Sequence, residues 1–288
     1  MHFTLLTLFP EMFPGVLAHS LAGKALEKGL WSYEAINIRD FATDKHGTVD
    51  DTPYGGGAGM VMKADVLGAA IEFAIQSSVD RVQSSDSCHS RENGNPAEVA
   101  THEINNISDW IPASTGMKDG LPSTINRQPP TKLIYPSPRG KLLTQAKVNE
   151  LVEHKNLTIL CGRYEGVDER VLQKYNIEEV SLGDYILSGG EIAAFTILDA
   201  CIRKINGVLG NPETHSQESF EGEFANLLEY PLYTRPAVWQ GLEVPEVLQS
   251  GNHKLIAEWR KAQSEAITKA RRPDLIKQVI SGSDSVSK

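Results

Sequence analysis

Two runs of this sequence carry residues suited to gripping a small molecule: Leu160-Cys161-Gly162-Arg163-Tyr164-Glu165-Gly166-Val167-Asp168-Glu169-Arg170 and Ser181-Leu182-Gly183-Asp184-Tyr185-Ile186-Leu187-Ser188-Gly189-Gly190-Glu191. Each reads as a short apolar strand that enters a glycine turn and then opens a helix. Glycine permits positive φ and lets main-chain N–H and C=O groups approach a ligand with no Cβ in the way. In open α/β sheets, ligands sit in loops of this kind at the carboxyl ends of strands. Two αβ turns with ordinary helix caps are the competing reading, and the residues alone leave both open. A third glycine run, Gly55-Gly56-Gly57-Ala58-Gly59 after Asp50 and Tyr54, raises the possibility of phosphate binding. It lacks both GxxxxGK[ST] and GxGxxG spacing, so that chemistry fails on the motif.

The elements that must position these loops follow from hydrophobic periodicity. Strands are expected at Phe3–Phe9, Tyr33–Ile38, Lys132–Tyr135, Leu157–Cys161 and Glu179–Leu182. They alternate with helical patterns near Phe13–Glu27, Lys63–Gln76, Gln145–His154, Asp168–Lys174 and Glu191–Lys204. That rhythm predicts an α/β domain with a largely parallel sheet over residues 1–208. The segment from Asp80 to Pro130 is rich in Ser, Asn, Gly and Pro and reads as a surface insert, largely disordered. Residues 209–224 are polar and rich in helix breakers, the composition of a flexible linker. Beyond it, residues 225–288 turn helical: Leu255, Ile256, Trp259, Ala262, Ala266 and Ile267 repeat at helical spacing.

Composition bounds the function. The 288 residues are 40% hydrophobic, enough for a substantial core, and the net charge of −9 excludes a generally basic surface. Any RNA contact must come from a local patch, and Lys254, Arg260, Lys261, Lys269, Arg271, Arg272 and Lys277 supply one near the C-terminus. A solvated helix face explains the same residues equally well. Cys88, Cys161 and Cys201 offer neither a disulfide framework nor a zinc set, which fits a reducing cytoplasm. Pro10, Glu11 and Pro14 interrupt the first apolar stretch as a signal peptide would not tolerate, and no run approaches the roughly 20 apolar residues that span a bilayer.

Both glycine loops resemble, residue by residue, those of the TrmD family of bacterial tRNA (guanine-N1-)-methyltransferases. The resemblance continues through Leu8-Phe9-Pro10-Glu11-Met12-Phe13, Arg39-Asp40-Phe41, Thr48 to Met60, Pro136-Ser137-Pro138-Arg139-Gly140, Tyr233-Thr234-Arg235-Pro236 and Leu248 to His253. It covers the chain from Met1 to about Ile276 apart from the insert. It implies a SPOUT-type fold whose later strands and loops form a deep trefoil knot holding S-adenosylmethionine. Periodicity could not have suggested a knot, since knots are rare exceptions to the usual connection rules.

Carried over by motif, the resemblance puts the cofactor against Tyr135, Ser137 and Pro138 in a first loop and Gly162, Tyr164 and Glu165 in a second. The third loop would contribute Leu182, Gly183, Asp184, Tyr185, Ile186, Leu187, Gly189 and Gly190. Asp50, Tyr54, Gly55, Gly56, Gly57 and Gly59 would lie near the methyl-acceptor base. Arg203 would face the target guanine and stabilise charge developing on its oxygen, although the helix dipole alone favours a cation there. Guanine N1 carries a proton at neutral pH, so methylation needs a base. The family has an Asp before Ser-Phe; this chain has Glu218-Ser219-Phe220, one methylene longer, with Glu221 and Glu223 as substitutes further along.

The implied reaction is methyl transfer to N1 of the guanosine at tRNA position 37, beside the anticodon, by a cytoplasmic homodimer whose active sites form across the interface. The anticodon stem-loop would be the partner and no membrane is involved. A Mg²⁺ dependence is compatible with the family, and the sequence shows no ligand cluster for it. A catalytically weak RNA-binding protein that keeps the fold is the alternative. A nicotinamide-dependent oxidoreductase lacks its GxGxxG fingerprint.

Overall fold

The computed structural model describes residues 1–87, 131–210, 218–224 and 226–276. The chain divides into two compact units, Met1–Val208 and Leu209–Lys288.

The first unit is built on a five-stranded sheet: β1 (His2–Thr7), β2 (Ser32–Asn37), β5 (Lys132–Leu142), β6 (Asn156–Leu160) and β7 (Glu178–Ser181). The order is β2-β1-β6-β5-β7 and every pairing is parallel. Parallel strands buried on both faces need apolar residues at both parities. Phe3, Leu5, Ile134, Leu157 and Ile159 fill one face with side chains from α1 (Ser20–Glu27), α3 (Gln145–Val152) and α5 (Gly190–Ile202). Leu6, Leu133, Tyr135 and Leu160 fill the other with α2 (Ala64–Ser87) and α4 (Glu169–Lys174). A short hairpin, β3 (Asp50–Asp51) with β4 (Val61–Met62), flanks the sheet.

Three elements differ from the sequence reading. No single helix covers Phe13–Glu27: 3-10 turns at Pro10–Met12 and Gly15–Ala18 precede α1. Pro14 lacks the N–H a helix interior needs, and Gly15 and Ser20 have φ of 51° and 57°, which the interior of a continuous right-handed helix does not accommodate, so α1 begins only at Ser20. Conversely α2 runs past Asp80 to Ser87, into the expected insert. Gln76 donates to Asp80 at 2.9 Å, and Arg81 pairs with Glu34 of β2, so the helix keeps a partner beyond its predicted end. The rest of the insert, 88–130, lies outside the described residues.

The third difference concerns β5, which continues through the motif Pro136 to Gly140 as an irregular strand. Pro136 and Lys141 both register on Val180 of β7, so the intervening residues are looped out. Gly140 crosses β7 so closely that an added Cβ would lie 2.4 Å from the Val180 nitrogen.

At the amino end of the sheet His2 donates or accepts a hydrogen bond with Ser32 at 2.8 Å, while its Nε2 is buried without a partner. Burial, then the positive charges of Arg81 and the N-terminus, push its imidazole down to about 3. An unfolded imidazole titrates near 6.5, so between these values the unfolded chain binds a proton that the folded chain refuses. The stability supplied by neutral His2 is complete above pH ~6.5 and lost as pH falls toward ~3. Urea titrations over that window should show a steeper loss of stability in the wild type than in His2→Gln; identical slopes would remove His2 from the account.

The second unit holds a hairpin, β8 (Val238–Trp239) with β9 (Leu242–Glu243), then α6 (Glu246–Gln249) and α7 (His253–Arg271). The inward face of α7 keeps part of the predicted stripe, with Ile256, Trp259 and Ile267 half-buried. Ser264 and Thr268 are fully buried, whereas Leu255, Ala262 and Ala266 are exposed. Thr268 accepts from the Leu228 N–H at 2.8 Å and donates to the Ser264 carbonyl at 2.6 Å, a pairing that tethers the preceding loop and selects this face. Arg260, expected in the basic patch, turns its guanidinium over Tyr230 at 4.8 Å. Lys254, Lys261, Lys269, Arg271 and Arg272 are exposed; Lys277 lies outside the described residues.

Candidate functional site

The looped-out stretch of β5 and the carboxyl ends of β6 and β7 supply three loops that enclose one cleft of ≈ 250 Å³. Small-molecule pockets commonly measure about 300–1,000 Å³, so this open cleft suits a small ligand. Every residue assigned to the cofactor from the motif lines it except Asp184, which is exposed and stands outside the lining. In a loop whose neighbours Tyr185 and Ile186 border the cleft, the short carboxylate gains hydration by staying in solvent.

Each loop is fixed by main-chain bonds. In the first, the Arg139 N–H donates to Ser137 Oγ at 3.2 Å, and the Arg139 guanidinium spans Glu169 and Glu179 at 3.1 Å each. The second loop follows β6. Tyr164 adopts φ 59°, and Gly166, at φ 125°, donates to the Arg163 carbonyl at 3.1 Å. In the third, Gly183 sits at φ 145°, a value suited to glycine, and its N–H donates to Ser181 Oγ at 3.1 Å. The Gly190 N–H donates to the Gly162 carbonyl at 2.8 Å, joining the third loop to the second. An added Cβ at Gly162 would sit 2.6 Å from the Tyr135 ring, and one at Gly190 would sit 2.8 Å from Cys161 Cα. The cleft is therefore floored by backbone, with Leu182, Leu187, Val180 and Ala193 as apolar wall.

Tyr135 and Cys161, at the floor, stay neutral. Burial, with Glu179 nearby, raises the Tyr135 phenol above its usual range. Burial, with Glu191 adding to it, raises the Cys161 thiol well above its usual range, so this cysteine supplies no thiolate nucleophile. The arrangement offers main-chain donors, acceptors and an apolar wall: a site for holding a planar, polar-edged ligand.

The glycine-rich loop after β3 is attached to this site. Glu165 N–H donates to the Met60 carbonyl at 2.9 Å, Met62 N–H to Gly166 at 2.9 Å, and Asp168 N–H to Met62 at 3.2 Å. Gly59, at φ 85°, lies against the Glu165 side chain, where a Cβ would come within 2.4 Å of Cγ. Asp50 anchors the base of that loop opposite Met62, Tyr54 is fully exposed, and Gly55, Gly56 and Gly57 have positive φ with open space around them.

The proposed catalytic residues are not brought to the cleft within unit 1. Arg203 caps the carboxyl end of α5, whereas Gly189 and Gly190 begin that helix, so it stands about 20 Å along the axis from the cleft. Glu218 belongs to the second unit, in a turn where its carbonyl accepts the Glu221 N–H at 3.3 Å and Ser219 Oγ accepts the Glu229 N–H at 2.8 Å. Residues 211–217 of the linker, and the Glu223 side chain, lie outside the described residues. Sequence reasoning assigned no role to Arg163 and Glu191, which form an ion pair at 2.8 Å beneath the third loop. The available signal was a carboxylate, Glu191, in the first turn of a helix whose next seven residues carry no charge.

A parallel α/β sheet with three glycine-bearing loops closing a small cleft at one end defines a cofactor-binding α/β protein. The chain matches the family described as tRNA (Guanine-1)-methyltransferase TrmD over residues 1–97 and 115–278. It belongs to that family. Relatives named tRNA (guanine-N(1)-)-methyltransferase include one from Rickettsia akari (strain Hartford), 49% identical over 281 residues, 97% of this chain and 99% of the relative. One from Rickettsia rickettsii (strain Sheila Smith) is 48% identical with the same coverage. One from Anaplasma marginale (strain St. Maries) is 45% identical over 277 residues, 96% of this chain and 95% of the relative. Among the described residues no helix is long and apolar enough to cross a membrane. Nor does any group of three or more His, Cys, Asp and Glu among them stand ready to hold a metal ion.

Proposed function

We propose that this protein transfers the methyl group of S-adenosylmethionine to N1 of the guanosine at position 37 of tRNA. The observation that carries this reading is the convergence of three separate family motifs, around Tyr135, Gly162 and Gly190, on one cleft. The cleft suits the cofactor: main chain of the glycine loops lines it and can meet the edges of an adenine ring, and Leu182 and Leu187 offer faces for it. In the proposed reaction Glu218 accepts the N1 proton, and the freed lone pair attacks the sulfonium methyl. The C–S bond breaks as the N–C bond forms, leaving a neutral thioether, while Arg203 faces the charge on the guanine oxygen.

Arg203 lies a helix length from its own cleft, which supports a homodimer in which it and Glu218 serve the partner's cleft. Exposed Val16, Ile186 and Ile192, at 72%, 81% and 54%, offer apolar surface for such a partner. The looped β5 motif and the Gly140 crossing of β7 support the trefoil knot that the family resemblance implies. The exposed cations of α7 suit the anticodon stem-loop, with residues 225–288 as the RNA-binding unit, 209–224 as its connection and the cytoplasm as the setting.

The test is mass spectrometry of nucleosides from unmodified tRNA incubated with the protein and S-adenosylmethionine, with and without Mg²⁺. 1-Methylguanosine at position 37 is expected. Tight tRNA binding with no methylated nucleoside would instead support a binding protein that has kept the fold, for which Glu218 in place of the family Asp is the motivating departure.

A further inference from the structure

Glu191 is the one charged residue buried among the described residues, with 1% of its surface exposed. It sits in the first turn of α5, directly after the two glycines that close the cleft, where the helix dipole favours a negative charge. Its Oε1 accepts a hydrogen bond from Thr7 Oγ1 at 2.8 Å, at the end of β1. Its Oε2 faces Arg163 Nη2 at 2.8 Å. Thr7 Oγ1 also accepts the Phe9 N–H at 3.0 Å, and the Arg163 guanidinium lies 4.5 Å over the Phe9 ring. Arg163 in turn lines the cleft, with its Nη1 3.5 Å from the Ser188 carbonyl. Gly189 covers it so closely that a Cβ there would lie 2.4 Å from Nε. One carboxylate thus links the end of β1, the second loop and the third loop.

A buried ion pair is weak support for stability, because desolvation offsets most of the attraction. Its geometric consequence is different. Arginine is a planar fork with fixed donor directions, so a charge held at one end fixes what lies at the other. Here the other end is the backbone of Ser188 and Gly189, at the far side of the third loop from Leu182, which packs on the core.

We infer that Glu191 and Arg163 are positioning residues for the cofactor cleft: the pair, steadied by Thr7, sets the third loop against the second and so fixes the main-chain edge presented to the ligand. The inference rests on the reading of the cleft as an S-adenosylmethionine site. Neither residue touches the transferred methyl group in this assignment, so their effect is on cofactor affinity rather than on tRNA affinity.

The test uses the full-length protein and S-adenosylmethionine in titration calorimetry, with hydrogen exchange over residues 182–190. Glu191→Gln removes the charge at constant size and should weaken cofactor binding about ten- to hundred-fold while tRNA affinity stays near wild type. Thr7→Val should weaken it by a smaller factor and Thr7→Ser, which keeps the hydroxyl, should restore it. Exchange in the third loop should rise in Glu191→Gln and Thr7→Val but not in β1 or β6. Wild-type cofactor affinity in both of those variants overturns the inference. Should Glu191→Gln fail to fold, the contrast between Thr7→Val and Thr7→Ser decides. If the wild type itself binds no S-adenosylmethionine, the functional reading fails. The positioning role then stands or falls on whether exchange in the third loop responds.

Discussion

Replacing Glu218 by Gln is expected to slow single-turnover methylation about 10²- to 10⁴-fold, the contribution of a positioned general base. The substitution keeps size and removes basicity, so S-adenosylmethionine affinity should hardly change. Glu218→Asp restores the family residue but shortens the arm, and it should retain far more activity than the amide. The surroundings of Glu218 make this comparison informative. Ser219 and Phe220 are held by hydrogen bonds to Glu229, Phe224 and Leu227, and Phe224 packs against Tyr230, so the turn bearing the carboxylate has local structure. A carboxylate on such a turn has limited freedom to compensate for a lost methylene. If Glu218→Gln reacts at the wild-type rate with chemistry rate-limiting, the assignment is wrong and Glu221 or Glu223 is tested next.

The second large effect is expected at Gly190. Its missing Cβ would meet Cys161 Cα and the Gly162 nitrogen, both at 2.8 Å, and both belong to a backbone pinned by the sheet. Gly190→Ala must therefore displace either α5 or the second loop, stretching the Gly190–Gly162 hydrogen bond. Overpacking of this kind costs roughly 1–3 kcal/mol, and it falls on the cleft floor. Calorimetry should show S-adenosylmethionine affinity reduced by more than about ten-fold, with the far-ultraviolet circular dichroism spectrum preserved. The same experiment at Gly162 should be milder, because the obstacle there is the Tyr135 ring, a side chain with some freedom to turn. Unchanged affinity in Gly190→Ala would move the ligand elsewhere.

The parts of the fold that were legible in the sequence are those with a strong local signal. Leu157 to Cys161 reads as a continuous apolar run and Phe3 to Phe9 as a largely apolar one, and they became central parallel strands. The β8–β9 hairpin escaped notice because its strands are only two residues each and exposed. Its turn, Gln240-Gly241 with φ of 53° and 83°, also lacks the Asn-Gly or Asp-Gly signature. On α7 the apolar spacing places Ile256, Trp259 and Ile267 toward the inside, but the most buried positions are Ser264 and Thr268, and the Thr268 hydroxyl bonds to the backbone. That preference depends on the loop at Leu228, which periodicity does not see. The cleft was legible through motif resemblance, since each loop is a local string. The Thr7–Glu191–Arg163 network was not, because it joins residues up to 184 positions apart, and a charged residue read locally defaults to solvent.

Arg81 and Thr131, on either side of segment 88–130, both lie at one pole of the sheet. Arg81 of α2 pairs with Glu34 near the start of β2, and Thr131 shares a hydrogen bond with Thr158 just ahead of β5. The cleft opens at the opposite pole, roughly 17–20 Å away for strands of this length. The family match breaks at residues 98–114, within that segment. The sheet thus separates the pole that carries the flanks of this interrupted match from the pole that carries the cleft. For an engineer the first pole is a port: a reporter peptide joined just ahead of Thr131 would be attached at the end of the sheet away from the cleft.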